Sequence, residues 1–334
     1  MQRYFRFNWF QIWMILFFIS TAVLAIEKKQ GVYEQTLESI PLAFDVVIQR
    51  LDTSFSQNGF KVLATIENGV PEGCPYRATV LAVYLPEYGK QLLAMNVRTA
   101  PYALIDRIII FEDERGVHVA FVNPLNTLRT ILMDDHQPMA LAEQHRQRLR
   151  NVILNGVNAG TPTQHQYGQF RKKGYIGRTM GVMAGGPFDE KIETIITANN
   201  SLDLILQKLQ QAFQQNNGEW RLRSRYVLHL PENGIAIIGV SSPAVEERSY
   251  RIVGAGSDRS RKNFRCPGIA HAGAYPMEIV LRKANGKVSV EVVDIMYRMK
   301  MYFEDAGKWA FAKNMTMPGS IQSEIEAVVK QVLQ

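Results

Sequence analysis

The spacing of apolar and polar positions predicts the same amphipathic helix twice in this chain. Residues 44–58 are FDVVIQRLDTSFSQN and residues 202–216 are LDLILQKLQQAFQQN, with six identities over fifteen positions at a shift of 158. In both segments apolar residues recur at i, i+3, i+4 and i+7, the spacing of a helix with one buried face. An Asn-Gly pair, a frequent helix stop, follows each segment. We therefore infer that a domain has been duplicated.

The segments around the two helices follow one order. In the first copy, alternating or continuous apolar runs predict strands at 33–40, 61–66, 78–85, 105–111 and 117–122, and a closing helix at 140–154. In the second copy they predict strands at 192–197, 220–230, 235–240, 277–281 and 287–293, and a closing helix at 320–333. Pro86 and Pro243 each open a short helix before the last two strands. The prediction is an α+β fold of two tandem strand–helix–four-strand–helix domains with antiparallel sheets.

A glycine-rich segment separates the two copies. Residues 156–187 contain GVNAG and GYIGRTMGVMAGG, and Arg171-Lys172-Lys173 forms a basic run. Such composition is typical of a linker. We expect a first domain at 30–155, a basic glycine-rich linker at 156–187, and a second, more divergent domain at 188–334.

The first 25 residues have the order of a secretory signal. Arg3 and Arg6 precede an apolar run at 12–19, and small residues follow up to Ala25. An uncleaved membrane anchor also fits, because residues 9–26 approach spanning length. Both alternatives predict an exported protein that is periplasmic or extracellular, with a membrane contact through this segment only if it is retained.

The net charge does not indicate nucleic-acid binding. The formal charge is +7, and removing the two leader arginines leaves +5 spread along the rest of the chain. Nucleic-acid binding needs a concentrated basic face, which neither domain shows.

Three segments of the first copy resemble the family called domain of unknown function 302. They are QNGF at the end of the first helix, VLAVYLP, and RIIIFEDERGVHVAFVNP. The resemblance covers about residues 44–132, and the second copy is similar more loosely. It implies a TATA-binding-protein-like fold, in which helices cover one face of a curved antiparallel sheet, and tandem copies occur in that family. It implies no established activity, catalytic residue or cofactor.

Each copy contains one cysteine. Cys74 and Cys266 are each followed by proline, and an exported protein could join them in a disulfide between the copies. A pair of free thiols is the alternative. The sequence contains no CxxC pair and no zinc-ligand spacing, and it leaves the cofactor unknown.

The most concentrated positive charge lies in the short helix that Pro243 opens and in the loop that follows it. Its residues, together with a histidine in the same loop, are Arg248, Arg251, Arg259, Arg261, Lys262, Arg265 and His271. Such a cluster predicts an anionic ligand or partner, and a solvated loop is the ordinary alternative. His271 near Cys266 is the least ordinary histidine, since a Cys/His loop is capable of metal binding.

These features leave three hypotheses for function. The first is an exported, non-enzymatic protein that binds a small ligand or protein partner where the two repeats meet, near residues 248–275. The second is a structural subunit that forms a homo-oligomer through sheet faces or edges. The third is a thiol- or metal-dependent redox protein that uses Cys74, Cys266 and His271.

Overall fold

The computed structural model describes residues 29–132, 137–171, 176 and 185–333. The predicted leader at 1–25 lies outside these ranges. The strands of the first half are β1 (Tyr33–Ile40), β2 (Lys61–Glu67), β3 (Ala78–Tyr84), β4 (Ile105–Asp113), β5 (Gly116–Val122) and β6 (Thr161–Tyr167). Its α-helices are α1 (Phe44–Gln57), α2 (Pro86–Met95), α3 (Pro124–Ile131) and α4 (Gln137–Val157), with a 3-10 helix at Ala100–Ala103.

The second half repeats this order of elements. Its strands are β7 (Ile192–Ala198), β8 (Arg223–Leu230), β9 (Ile235–Ser241), β10 (Met277–Ala284) and β11 (Lys287–Val293). Its α-helices are α5 (Leu202–Gln215), α6 (Pro243–Val253), α7 (Ile295–Phe303), α8 (Lys308–Ala312) and α9 (Thr316–Leu333). Between α6 and β10 lie 3-10 helices at Arg259–Arg261 and Pro267–Ala274.

The two sheets share one order over five strands, and the first sheet has β6 as a sixth strand at its edge. The first is β2-β3-β4-β5-β1-β6, and the second, read in the matching direction, is β8-β9-β10-β11-β7. All neighbouring strands are antiparallel. The predicted α+β fold of two strand-and-helix domains is therefore confirmed.

Helices α1 and α5 form where the apolar spacing places them. In α1 the side chains of Phe44, Val47, Leu51 and Phe55 are buried. In α5 the corresponding stripe is buried as well, and it consists of Leu202, Ile205, Leu206, Leu209 and Phe213. The shared pattern thus places an equivalent helix on each sheet.

Strand β6 lies inside the segment that the sequence predicts to be a linker. It pairs with β1, with Tyr167 opposite Tyr33. Most of its side chains are at least partly exposed. A polar edge strand has no continuous apolar face and hence gives a weak sequence signal. Residues 161–167 therefore belong to the first sheet.

Helices α3 and α7 follow the two hairpins and were not predicted. The side chain of Asn123 accepts a hydrogen bond from Leu125 N at the start of α3. Asp294 does the same for Tyr297 N at the start of α7. Asn and Asp are favoured at this capping position, so both residues carried a helix-start signal.

The two faces of the first sheet have different neighbours. On β1, the Glu34 carboxylate accepts hydrogen bonds from Arg146 and Arg150 of α4. The neighbouring side chains Tyr33 and Gln35 point to the other face, because successive residues of a strand alternate. Tyr33 meets His271 of the second half there. We call this interface between the halves the seam.

Candidate functional site

Each half covers part of the other half's sheet at the seam. The Pro267–Ala274 3-10 helix lies against β3, β4 and β5, while Ala100–Ala103 lies against β10. Both segments occupy the same place in their halves, between the second helix and the hairpin. Gly273 is needed for this approach, since a Cβ there would lie 2.8 Å from side-chain atoms of Ile109 and Val122. The two covering segments therefore fill this part of the seam.

A disulfide joins the halves at one margin of the seam. Cys74 and Cys266 are bonded, with their Cα atoms 5.8 Å apart and a sequence separation of 192. Cys266 immediately precedes the covering segment at 267–274. The disulfide consequently ties the start of that segment to the first half.

A buried cluster centred on Asp113 also links the halves. Its carboxylate accepts hydrogen bonds from Arg261 Nη1 at 2.6 Å and from His118 Nε2 at 2.7 Å. The Arg261 guanidinium lies over the Phe111 ring, 4.7 Å from its centroid. Burial raises the pKa of Asp113, but bonds from His118 and Arg115, with the charge of Arg261, lower it overall to about 2. Asp113 is therefore held ionised as the counter-ion of Arg261.

A second buried cluster holds two arginines around one glutamate. Arg107 of β4 donates to Glu278 of β10 at 3.1 Å, and Arg298 of α7 donates to the other carboxylate oxygen at 3.3 Å. Both guanidinium groups lie over the Tyr302 ring, within 5 Å of its centroid. A cavity of about 20 Å³ beside Arg107 and Tyr302, lined by both halves, has room for about one water molecule. The centre of the seam is thus filled by paired charges.

His271 lies in an aromatic enclosure at the seam. Its ring meets Tyr33 and Tyr167 edge-on, at centroid distances of 5.1 and 5.6 Å, and lies near Phe303. His271 Nε2 is 3.3 Å from Asp305 Oδ2. Burial raises the pKa of Asp305, yet the His271 charge and hydrogen bond lower it overall. With 1% exposure His271 faces the interior, so it is unavailable to a surface partner.

Glu246 is a buried carboxyl at the same interface. Its Oε2 accepts a 2.7 Å hydrogen bond from Gly69 N of the first half. Asn68 beside it donates to Tyr250 OH at 3.1 Å. Burial dominates over these hydrogen bonds and raises the pKa of Glu246 to about 7. Its protonation therefore changes near neutral pH.

The basic residues predicted to form one site divide into three groups. Arg261 is buried in the seam. Arg259, Lys262 and Arg265 are exposed on the loop that follows α6. Arg248 and Arg251 lie apart from these, in a cleft of about 450 Å³ on the outer side of the second half.

We call that depression the basic cleft. It lies between α6 and the segment joining α8 to α9, and its lining includes Trp220, Lys313 and Asn314. Arg248 Nε and Nη2 donate to Asn314 Oδ1 at 3.0 and 2.6 Å. Arg251 and Arg248 are three residues apart, so they project from one side of α6. Two guanidinium groups and one ammonium group therefore converge on one open cleft.

Lys313 and Trp220 were not among the predicted site residues. Lys313 lies 62 positions beyond Arg251 in the printed sequence, and Trp220 precedes β8. Neither position has a local motif. The fold brings them together because α9 packs against α5 and α7.

Neither a membrane-spanning helix nor a metal-ligand cluster occurs in the described residues. Within these ranges, no helix combines the length and apolarity needed to cross a bilayer. Likewise, the described part of the chain contains no group of three or more His, Cys, Asp or Glu residues placed to hold a metal ion.

The first half of the chain is similar to a known protein family. Residues 35–155 match the family described as Domain of unknown function DUF302. This span runs from β1 into α4, and it confirms the family resemblance seen in the first copy. The first half is therefore similar to this family, whose description names no activity.

Solved structures and curated proteins add little to this assignment. The chain is similar to the "Crystal structure of uncharacterized conserved protein DUF302 from Bacillus stearothermophilus" at 20% identity and a TM-score of 0.31. That similarity covers 36% of this chain and 95% of the other. Among curated proteins, none matches this sequence.

Proposed function

We propose that this chain is an exported, non-enzymatic binding protein that holds an anionic ligand in the basic cleft. The main observation for this proposal is that one cleft of about 450 Å³ is lined by Arg248, Arg251 and Lys313. Guanidinium groups bind phosphate and carboxylate oxygens through paired donors, and Lys adds a point charge. Glu247, which pairs with Arg251, and Glu219 also line the cleft, so three basic and two acidic side chains leave a formal charge of +1, suited to a small anion.

Protein groups already fill the seam, which favours a ligand site on the outer surface instead. Buried ion pairs, a disulfide and covering segments occupy the interface where the sequence predicted a ligand. Opening it would separate Arg261 from Asp113 and leave both charges unpaired. In this proposal the seam gives the two halves a fixed arrangement, and export follows from the signal-like order of residues 1–25.

We further propose that the second half is a diverged copy of the DUF302 domain. The order shared by five strands of each sheet supports this descent. A change in function after duplication is reasonable, since the basic cleft lies wholly in the second half.

The two alternatives have less support. Strand β6, an edge of the first sheet, carries Pro162, and proline hinders pairing with another chain. A thiol-based redox role would require Cys74 and Cys266 to leave the disulfide that joins the halves.

Calorimetric titration with pyrophosphate, a small polyanion, tests the proposal. We expect saturable binding of one pyrophosphate per chain, lost in the Arg248→Ala/Arg251→Ala variant. Arg259→Ala/Arg265→Ala removes the same charge from the exposed loop and should bind like the wild type. Equal loss of affinity in both variants would instead indicate unspecific attraction by net charge, against the proposal.

A further inference from the structure

Helix α8 is an addition to the second half that the repeated fold does not need. Residues 304–315 separate α7 from α9, whereas only residues 132–136 separate α3 from α4. None of the five residues of α8 is buried. Helix α8 itself therefore contributes little to the core, and its surface requires another explanation.

This segment exposes two large apolar side chains. Trp309 is 82% exposed and Met315 is 44% exposed. Trp309 has the highest exposure among the large hydrophobic residues in the described part of the chain. An exposed indole leaves its apolar ring in contact with water. Tryptophan is enriched instead at protein interfaces and in the interfacial zone of membranes.

Positive charges surround these side chains. Lys308 and Lys313 are exposed on the same segment. Arg248 of the basic cleft hydrogen-bonds to Asn314, between Lys313 and Met315. The headgroup region of an anionic bilayer accommodates both an indole and several cations. The apolar ring inserts near the acyl chains, and the cations contact the anionic headgroups.

We propose that this surface docks onto an anionic membrane. The docking surface consists of Arg248, Arg251, Lys308, Trp309, Lys313 and Met315. The proposal rests on the proposed function of the basic cleft and specifies its ligand as phosphate groups of lipids. It is a second membrane contact, separate from the N-terminal segment.

A protein partner fits the surface less well. Protein interfaces centre on well-packed apolar cores in which an aromatic side chain fills a pocket. Here the two apolar side chains stand among cations on a short segment without a buried residue. Such an arrangement suits shallow insertion into a lipid surface.

Vesicle flotation of the full exported chain tests the docking. Vesicles of phosphatidylcholine with about 30% phosphatidylglycerol provide the anionic surface, and phosphatidylcholine alone is the neutral reference. We expect binding to the anionic vesicles to exceed binding to neutral ones, and to weaken in about 0.5 M NaCl. Trp309→Ala should lower the affinity for anionic vesicles about tenfold. Val97→Ala, which shortens an exposed apolar side chain of the first half, should leave the affinity unchanged.

The variants separate this surface from the N-terminal segment. All of them retain the same leader or mature N-terminus, so the loss caused by Trp309→Ala reports the docking surface alone. Unchanged vesicle binding in Trp309→Ala, or equal binding to neutral and anionic vesicles, would overturn the proposal.

Three further outcomes distinguish the docking from the underlying function and from a protein partner. Pyrophosphate binding without vesicle binding would contradict the membrane proposal and leave the basic cleft as an anion site. Absence of both would contradict both proposals. Trp309-dependent binding of a poly-glutamate peptide, with none to vesicles, would replace the membrane by an acidic protein partner.

Discussion

Arg261 and Asp113 are 148 residues apart in sequence, yet Arg261 Nη1 donates to Asp113 Oδ2 at 2.6 Å across the seam. Both side chains are almost completely buried. Removing one member of such a pair leaves an unpaired charge in the interior. The seam is thus held by charges whose loss should affect the whole protein.

Replacing Arg261 should strongly destabilise the protein. Arg261→Met keeps much of the side-chain volume but leaves Asp113 without its cation, and we expect a loss of about 3–5 kcal/mol in the free energy of unfolding. Arg259→Met, at an exposed position two residues earlier, should change it by less than about 0.5 kcal/mol. Urea denaturation measures both variants. A loss under about 1 kcal/mol for Arg261→Met would contradict a structural role for the pair.

Removing the disulfide should also lower stability. The double variant Cys74→Ser/Cys266→Ser opens the loop between two positions separated by 192 in sequence, and we expect a loss of about 2–4 kcal/mol in the free energy of unfolding. Denaturation with and without reductant measures it. The wild type should lose stability when reduced, whereas the double variant should not respond to reductant. Reductant-insensitive stability in the wild type would contradict a structural disulfide.

Glu246 should make stability depend on pH near neutrality. Because the pKa of Glu246 rises from 4.5 unfolded to about 7 folded, the folded state binds more protons between these values. The contribution of Glu246 to the free energy of unfolding is most favourable below pH 4.5. It falls as pH rises, and above pH 7 the free energy of unfolding is lower by about 3 kcal/mol.

The variant Glu246→Gln isolates this effect. It keeps the shape of the side chain without its charge, so it should be more stable than the wild type by about 2 kcal/mol at pH 8, with no gain at pH 4. Glu247→Gln, which is half-exposed, should show no such pH-dependent difference. Parallel stability curves for the wild type and Glu246→Gln would show that Glu246 titrates normally.

Gly69 should tolerate no side chain. A Cβ there would lie 2.4 Å from the Pro243 Cα and carbonyl oxygen, which belong to the backbone where α6 begins. Gly69→Ala must therefore shift the contact between the halves, and we expect a loss of at least about 2 kcal/mol. Gly319→Ala, within α9 and with no atom near its Cβ, should gain up to about 1 kcal/mol. Thermal unfolding distinguishes them, and similar small effects would contradict the close approach.

Local patterns determined which elements could be predicted. The apolar stripe of α1 and the largely apolar runs of β4 and β5 are repeated in the sequence, so helix and hairpin were predicted in both halves. Strand β6 and helix α8 were missed, because each is stabilised by neighbours and lacks a strong apolar period of its own.

The candidate site was predicted only in part. Arg248 and Arg251 were singled out by their charge, but charge alone could not separate them from Arg261, which the fold buries against Asp113. Lys313 joins the cleft only through the packing of α9. Contacts between distant segments have no period in the sequence, and the resemblance to DUF302 carried no activity that could supply them.

Amide hydrogen exchange of the full chain, with and without saturating pyrophosphate, tests most directly whether a closed seam supports an outer anion site. We expect pyrophosphate to slow exchange in 243–253 and 308–320, around the basic cleft. The seam segment at 267–276 should already exchange slowly and should not change. Slower exchange confined to 267–276 and 100–103 would contradict the account, because it would mean that the seam opens to take the ligand.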